Sequence, residues 1–269
     1  MLDLRRNNVR ILGRGERTML MAHGYGCDQN MWRFLVPAFE NTYRIVLLDY
    51  VGHGQSDASA FDRARYSTLQ GYADDILAIC AALNIRDAVF VGHSVSAMIG
   101  VLAAKKDPSR FSSLVMIGPS PRYINDGDYV GGFTPGDIDG LLEQLDSNHL
   151  GWSSAMAPII MGNADRPELA TELTNSFCRT NPEVAKHFAR VTFLSDNRTD
   201  LPGVQIPCLI LQCSSDSIAP ESVGHYVHEQ IPHSHFMILS ASGHCPHLSA
   251  PAETAAAMTA FLGAQASSE

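Results

Sequence analysis

A mostly parallel, doubly wound α/β sheet is the fold class that this 269-residue chain predicts. Three observations point to it: six short, nearly continuous apolar runs, helix-like stretches between most of them, and one long interval with no strand pattern. Apolar runs of this kind belong to strands buried on both faces, the condition of a parallel sheet covered by helices.

In chain order, Leu2–Gly13 is expected to supply one or two antiparallel edge strands. The apolar runs follow at Thr18–His23, Tyr43–Asp49, Asp87–Ser94, Phe111–Gly118, Pro207–Cys213 and His235–Ser240. Amphipathic stretches between them are clearest at Leu69–Leu83, with another closing the chain at Pro251–Leu262, and this alternation marks strand–helix–strand units. Residues 120–201 break the rhythm. They are too long for a plain loop, are punctuated by Pro135, Pro158, Pro167 and Pro182, and read as a helical insertion between two strands. The chain then divides into a core of residues 1–119 and 202–269 and an inserted helical unit of residues 120–201. Tyr123, Tyr129, Phe133, Trp152, Met156, Met161, Phe177, Phe188 and Phe193 give that unit its apolar surface. Most are expected to pack helix on helix and a minority to line a pocket. The tail Ala264–Glu269 is expected to fray.

Composition narrows the function classes. The chain carries 19 Lys+Arg against 28 Asp+Glu, a formal charge of −9, and no basic block. Nucleic acid and anionic membrane are therefore poor partners, since both are met by clustered positive charge. The amino terminus has no apolar h-region, so it does not read as a signal peptide. Nowhere do 18 apolar residues run together. Six scattered cysteines without a C-x-x-C pair fit free thiols in a reducing cytoplasm better than disulfides or a zinc site. No cofactor or metal is expected.

The strongest local signal is Val89-Phe90-Val91-Gly92-His93-Ser94-Val95-Ser96-Ala97. An apolar strand runs into G-x-S-x-small and then into a helix-compatible stretch, which is the setting of a nucleophile elbow. A serine hydroxyl needs a base to take its proton, and with this elbow the chain order is Ser, acid, His. Asp216 follows the run ending at Cys213, and His244 follows the next run. Both would stand on the same sheet edge as Ser94, with His244 as base and Asp216 fixing its tautomer. The turn Gly24-Tyr25-Gly26 follows the first long run. The backbone N–H groups of Tyr25 and Val95 are the expected oxyanion donors.

Rival readings are weighed on the same residues. His247 is the alternative base, but it lies nearer the final helix and is expected to be hydrogen-bonded for structural reasons. His244, Cys245 and His247 lack partners at recognised metal-ligand spacing. Asp196 and Asp200 precede their strand and so lie on the wrong side for the acid. Gly24-Tyr25-Gly26 has Gln29 where a dinucleotide fingerprint needs a third glycine.

Asp49-Tyr50-Val51-Gly52-His53-Gly54-Gln55-Ser56 resembles the D-x-x-G-x-G-x-S turn of α/β-hydrolases, and His23–Gln29 resembles their oxyanion loop. More narrowly, GHSVSAMIG, MIGPSPRYIND, GGF, MAPIIMGN, ELTNSFCRTNP, ILQCSSDSIAP and GHCPHLS resemble one subfamily. It is the RsbQ-like group of bacterial stress-response regulators, related to plant karrikin and strigolactone receptors. The resemblance covers nearly the whole chain, and within it Ser96 is the usual residue. It implies an α/β-hydrolase core with a V-shaped four-helix cap (lid) over a closed apolar pocket. By motif matching, Ser94, Asp216 and His244 correspond to the triad, and Tyr25, Tyr123, Phe133, Trp152 and Phe193 to substrate-binding residues. A serine at the elbow sets aside the dehalogenases and epoxide hydrolases of this fold, which use a carboxylate there. The implied reaction is hydrolysis of a small hydrophobic ester or lactone, slow and tied to signalling. For RsbQ-like proteins the partner is a PAS-domain phosphatase. A ligand-binding regulator with incidental hydrolysis is the alternative, and a carbon–carbon bond hydrolase is a third reading.

Overall fold

The computed structural model describes residues 4–266. Seven strands form one sheet: β1 (Arg10–Leu12), β2 (Arg17–Ala22), β3 (Tyr43–Leu47), β4 (Ala88–His93), β5 (Phe111–Ile117), β6 (Cys208–Ser215) and β7 (Ser234–Ser242). Their spatial order is β1-β3-β2-β4-β5-β6-β7. Only β1 runs antiparallel, pairing Arg10 with Leu47; the other neighbours are parallel. All six apolar runs appear as strands. The opening segment supplies one antiparallel edge strand, and Leu2 and Asp3 lie outside the described residues.

Side chains alternate across the sheet, as a two-residue period requires. Met19, Met21, Ile45, Val89, Val91, Val115, Ile117, Leu209 and Leu211 point to one face. Leu20, Ala22, Val46, Phe90, Leu114, Met116 and Ile210 point to the other. Both sets are buried, so each central strand reads as a continuous apolar run. The edge strand β7 departs from this: Met237 and Ile238 are exposed, because no strand lies beyond it.

The helices are α1 (Val36–Phe39), α2 (Leu69–Ala82), α3 (Val95–Lys106), α4 (Pro135–Ser147), α5 (His149–Met161), α6 (Pro167–Arg179), α7 (Pro182–Phe193), α8 (Glu221–Gln230), α9 (Pro246–Ser249) and α10 (Pro251–Ala266). Helices α2, α3 and α8 cover one face, and α1 and α10 the other. The last helix continues through Ala266, so Ala264–Ala266 are not frayed; residues 267–269 lie outside the described residues.

Among the described residues no strand lies between β5 and β6; helices α4–α7 fill the interval. Pro135, Pro167 and Pro182 stand at the first turn of α4, α6 and α7, where the missing N–H costs nothing. A capping box of Thr134 and Asp137 starts α4, and the Asn181 side chain caps α7. The apolar faces of these helices, including Ile138, Leu142, Trp152, Leu173 and Phe193, join the core cluster above the sheet.

Candidate active site

Because β2 and β4–β7 run parallel, the loops leaving them open on one edge of the sheet. There β4 ends at His93 and α3 begins at Val95, leaving Ser94 alone in the turn with φ 56° and ψ −121°. This is a strained conformation for a residue with a Cβ, of the kind that costs about 1–3 kcal/mol and is kept where the turn must project a side chain. Gly92 makes the turn feasible, since a Cβ there would lie 2.5 Å from the Ser96 carbonyl oxygen. The Ser94 N–H is tied to the Ile117 carbonyl at 2.8 Å.

His244 comes from the loop after β7 and Asp216 from the loop after β6. Ser94 Oγ lies 2.7 Å from His244 Nε2, and His244 Nδ1 lies 2.7 Å from Asp216 Oδ2. The Asp216 side chain is fully buried and that of His244 nearly so. Asp216 Oδ1 accepts from the N–H groups of Ile218 and Ala219 at 2.8 and 3.1 Å. A carboxylate held this way accepts from Nδ1–H, leaving the Nε2 lone pair facing the serine hydroxyl. The three residues that the sequence singled out thus meet in one hydrogen-bonded chain.

Their loops are also fastened to the end of α5. The His244 N–H donates to the Ile160 carbonyl at 2.8 Å, and Ser217 Oγ–H to the Ile159 carbonyl at 3.1 Å. Asn163 Nδ2 bridges the Met161 and Ser242 carbonyls, each at 2.9 Å.

The backbone N–H groups of Tyr25 and Val95 donate to no protein acceptor among the described residues. Both lie in the turns beside Ser94, one after β2 and one opening α3. The Asp49 carboxylate holds the loop after β2 against the turn after β3, accepting from Gln29 N–H, Gln55 N–H and the Asn8 side chain. That bond set accounts for the acid that opens the D-x-x-G-x-G-x-S segment.

The cavity over Ser94 and His244 has a volume of about 30 Å³ and is walled by Tyr25, Cys27, His93, Tyr123, Ile160, Leu173, Phe177, Thr192, Phe193, Ile218 and Cys245. Tyr25, Tyr123 and Phe193 stand where the resemblance implied. Phe133 and Trp152 do not reach the wall. Trp152 sits one layer back, stacked on Phe177 at 5.6 Å and edge-on to Tyr25 at 6.0 Å. Phe133 is held in the segment before α4, where its backbone bridges Ile124 and Tyr123. Cys27, Ile160, Leu173, Thr192 and Ile218 were missed, and Phe177 was noted only as an apolar residue; nothing in a helical period tells which apolar side chain faces a cavity. Burial pushes the Tyr25 hydroxyl far above its ordinary range and the Tyr123 hydroxyl up to about 12, so both are neutral. A separate cavity of about 600 Å³, walled by Leu69, Leu102, Val191 and Leu194, includes none of these residues.

Beside His244 lies a group of buried imidazoles. His93 Nε2–H donates to the His244 carbonyl at 2.8 Å. His247 was expected to be hydrogen-bonded, but neither of its ring nitrogens has a partner among the described residues. It is held by packing instead, against Trp32 and His93. Ligand-capable atoms of His93, Cys245 and His247 lie within 4.8 Å of one another. Gly24 is packed against His93 Nδ1, however, so closely that an added Cβ would sit 2.5 Å away. With Nε2 engaged and Nδ1 covered, His93 is poorly placed to ligate, and the group fits neutral packed rings. Burial lowers the His93 pKa well below the usual range and that of His247 to about 3. All six cysteines are free, five of them buried, and no helix among the described residues is long and apolar enough to cross a membrane.

Comparison with known proteins fits this geometry. A family model described as alpha/beta hydrolase fold matches residues 17–251. The chain is 41% identical over 246 residues to karrikin insensitive 2 receptor CA of Petunia hybrida, covering 91% of each chain. It is 39% identical over 249 residues to strigolactone esterase D14 of Arabidopsis thaliana, covering 92% of this chain and 93% of the relative. Among solved structures, a hydrolase from Oleispira antarctica superimposes with a TM-score of 0.94 at 44% identity, covering 97% of this chain and 96% of that one.

Proposed function

The chain belongs to the alpha/beta hydrolase fold family, and from that premise we propose that it is a serine hydrolase cleaving a small, neutral, hydrophobic ester or lactone. The observation that carries this reading is the unbroken chain from Ser94 Oγ through His244 to Asp216, with 2.7 Å at each link. In this mechanism His244 Nε2 takes the hydroxyl proton as Ser94 Oγ attacks the carbonyl carbon. Asp216 keeps the Nδ1–H tautomer and stabilises the imidazolium. The developing oxyanion is received by the N–H groups of Tyr25 and Val95, a contribution worth about 3 kcal/mol per donor. His244 returns the proton to the leaving alkoxide, then activates water against the acyl-enzyme. For a lactone, the leaving oxygen stays on the acyl chain as a hydroxyl, and the second step releases a single hydroxy acid. No cofactor enters the scheme.

Substrate class follows from the walls. Apart from Ser94 and His244 they are aromatic, aliphatic, thiol and hydroxyl side chains with the neutral His93 ring, so a charged group would be desolvated without a charged partner. A volume of about 30 Å³ holds about one water, whereas ligand pockets start near 300 Å³. Binding must therefore displace wall side chains or move helices α4–α7, which in this reading form a lid unit of residues 120–201. The test is labelling with a fluorophosphonate probe together with turnover of a panel of aryl esters and lactones. Wild type is expected to be labelled at Ser94 and Ser94→Ala to lose both label and turnover. Undiminished turnover in Ser94→Ala overturns the proposal.

A second reading rests on one finding, that relatives at 39–41% identity include proteins named as receptors. The same pocket would then report ligand occupancy to another protein, which for an RsbQ-like protein is a PAS-domain phosphatase in a stress response. Capture of such a phosphatase only when the pocket is acylated supports it; no capture in any ligand state counts against it.

A further inference from the structure

We propose that Ser96 and Tyr50 are positioning residues that hold the oxyanion loop in register with the nucleophile. The inference rests on the hydrolase reading and assigns a task to residues outside the triad. Ser96 occupies the second position after Ser94, where the hydrolase elbow usually has glycine. Its side chain is fully buried, and a buried hydroxyl at a tight turn is destabilising unless both of its hydrogen-bonding roles are used.

Both are used. Ser96 Oγ donates its proton to the His23 carbonyl at 2.5 Å. With that proton committed, the Tyr50 hydroxyl must be the donor in its 2.6 Å contact with Ser96 Oγ. The relay therefore runs in one direction, from Tyr50 to Ser96 to the peptide that leaves His23. The His23 ring is fixed from the same side. Its Nε2 accepts the Tyr50 N–H at 3.1 Å, so Nδ1 carries the proton and donates to the Gly24 carbonyl at 2.9 Å. The Gly24 carbonyl belongs to the very peptide unit whose other end is the Tyr25 N–H. Four bonds thus fix two successive peptides, and the donor offered to the oxyanion is aimed by groups that never touch substrate. One of those bonds starts on α3, two residues from Ser94 itself, so elbow and oxyanion loop are built as one piece. A shift of about 1 Å in a catalytic group is enough to cost about a hundred-fold in rate.

The experiment compares wild type, Ser96→Ala, Tyr50→Phe and the double variant. For each, the rate of Ser94 phosphonylation, kcat and KM on an aryl ester, affinity for a trifluoromethyl ketone, and Tm are measured. Ser96→Ala is expected to lose roughly ten- to a hundred-fold in kcat and in phosphonylation rate, with KM within about two-fold and ketone affinity falling in parallel with kcat. It also strands the Tyr50 hydroxyl, so Tm falls. Adding Tyr50→Phe removes the stranded group and is expected to restore much of the Tm without restoring kcat. Recovery of both together would reduce Ser96 to a structural residue and overturn the proposal, as would unchanged phosphonylation in a folded Ser96→Ala. If wild type itself is not phosphonylated at Ser94, the hydrolase reading fails first, and the outcomes are thereby distinguished.

Discussion

Acidification from pH 7 to pH 5 should destabilise this protein through its buried histidines. His23, His53, His93 and His247 are buried, and burial lowers each imidazole pKa, to about 3 for His53 and His247. The unfolded chain has no such penalty, and its imidazoles titrate near 6.5. Between the two values the unfolded state binds a proton that the folded state refuses, so stability is present above pH 6.5 and is lost as pH falls. Over this interval the loss is about 2 kcal/mol for each fully resisting histidine, or about 4 kcal/mol for His53 and His247 together. That is a large share of the 5–15 kcal/mol typical of a folded domain. The aspartates whose carboxyls are held below their usual range, such as Asp107 and Asp196, act in the same direction but only nearer pH 4, outside this window. Urea unfolding at pH 7, 6 and 5, followed by tryptophan fluorescence, measures the effect. His247→Leu should shrink the loss by about 2 kcal/mol. Equal unfolding free energies at pH 7 and pH 5 would refute the reasoning.

Asp216→Asn should keep the fold but lower kcat by about four orders of magnitude, because an amide can donate to Nδ1 and stabilise the wrong tautomer; the pre-steady-state burst on an aryl ester reads it. Gly24→Ala places a Cβ 2.5 Å from His93 Nδ1 and must push the oxyanion loop outward. A fall in kcat of about a hundred-fold with little change in KM is expected, and wild-type kcat would contradict it. Phe177→Ala should enlarge the cavity at a cost of about 3–5 kcal/mol in stability. Longer acyl chains should then be accepted, and an unchanged acyl-length profile across an ester series would show that Phe177 does not limit the pocket.

The sheet was legible because its strands are buried on both faces: residues such as Leu20 and Met21 point in opposite directions yet are equally apolar, so the runs stand out. The meeting of Ser94, Asp216 and His244 was legible for a related reason, since a parallel sheet carries every strand-end loop to one edge. His247 shows where sequence reasoning ended. Its stability comes from ring packing on Trp32 rather than from any hydrogen bond, and packing between distant segments leaves no local pattern. The cavity wall was hidden in the same way. Trp152 and Phe177 are both large and apolar on facing helices and stack on each other, and only Phe177 reaches the wall.

The bonds that fasten α5 to the loops carrying His244 and Asp216 set a rule for how the pocket can admit anything. Swinging α5 outward would drag on the backbone N–H of His244 and on the side chain beside Asp216, disarming the enzyme at the moment of loading. Helix α6 is moored differently, by ion pairs of Arg33 with Glu172 and Arg179 with Asp28 at the protein rim and by Ser176 bonded to the Gly26 carbonyl. Those ties can part and re-form in water without disturbing the imidazole. An opening past α6 would therefore spare the bonds that hold His244, and an opening past α5 would not.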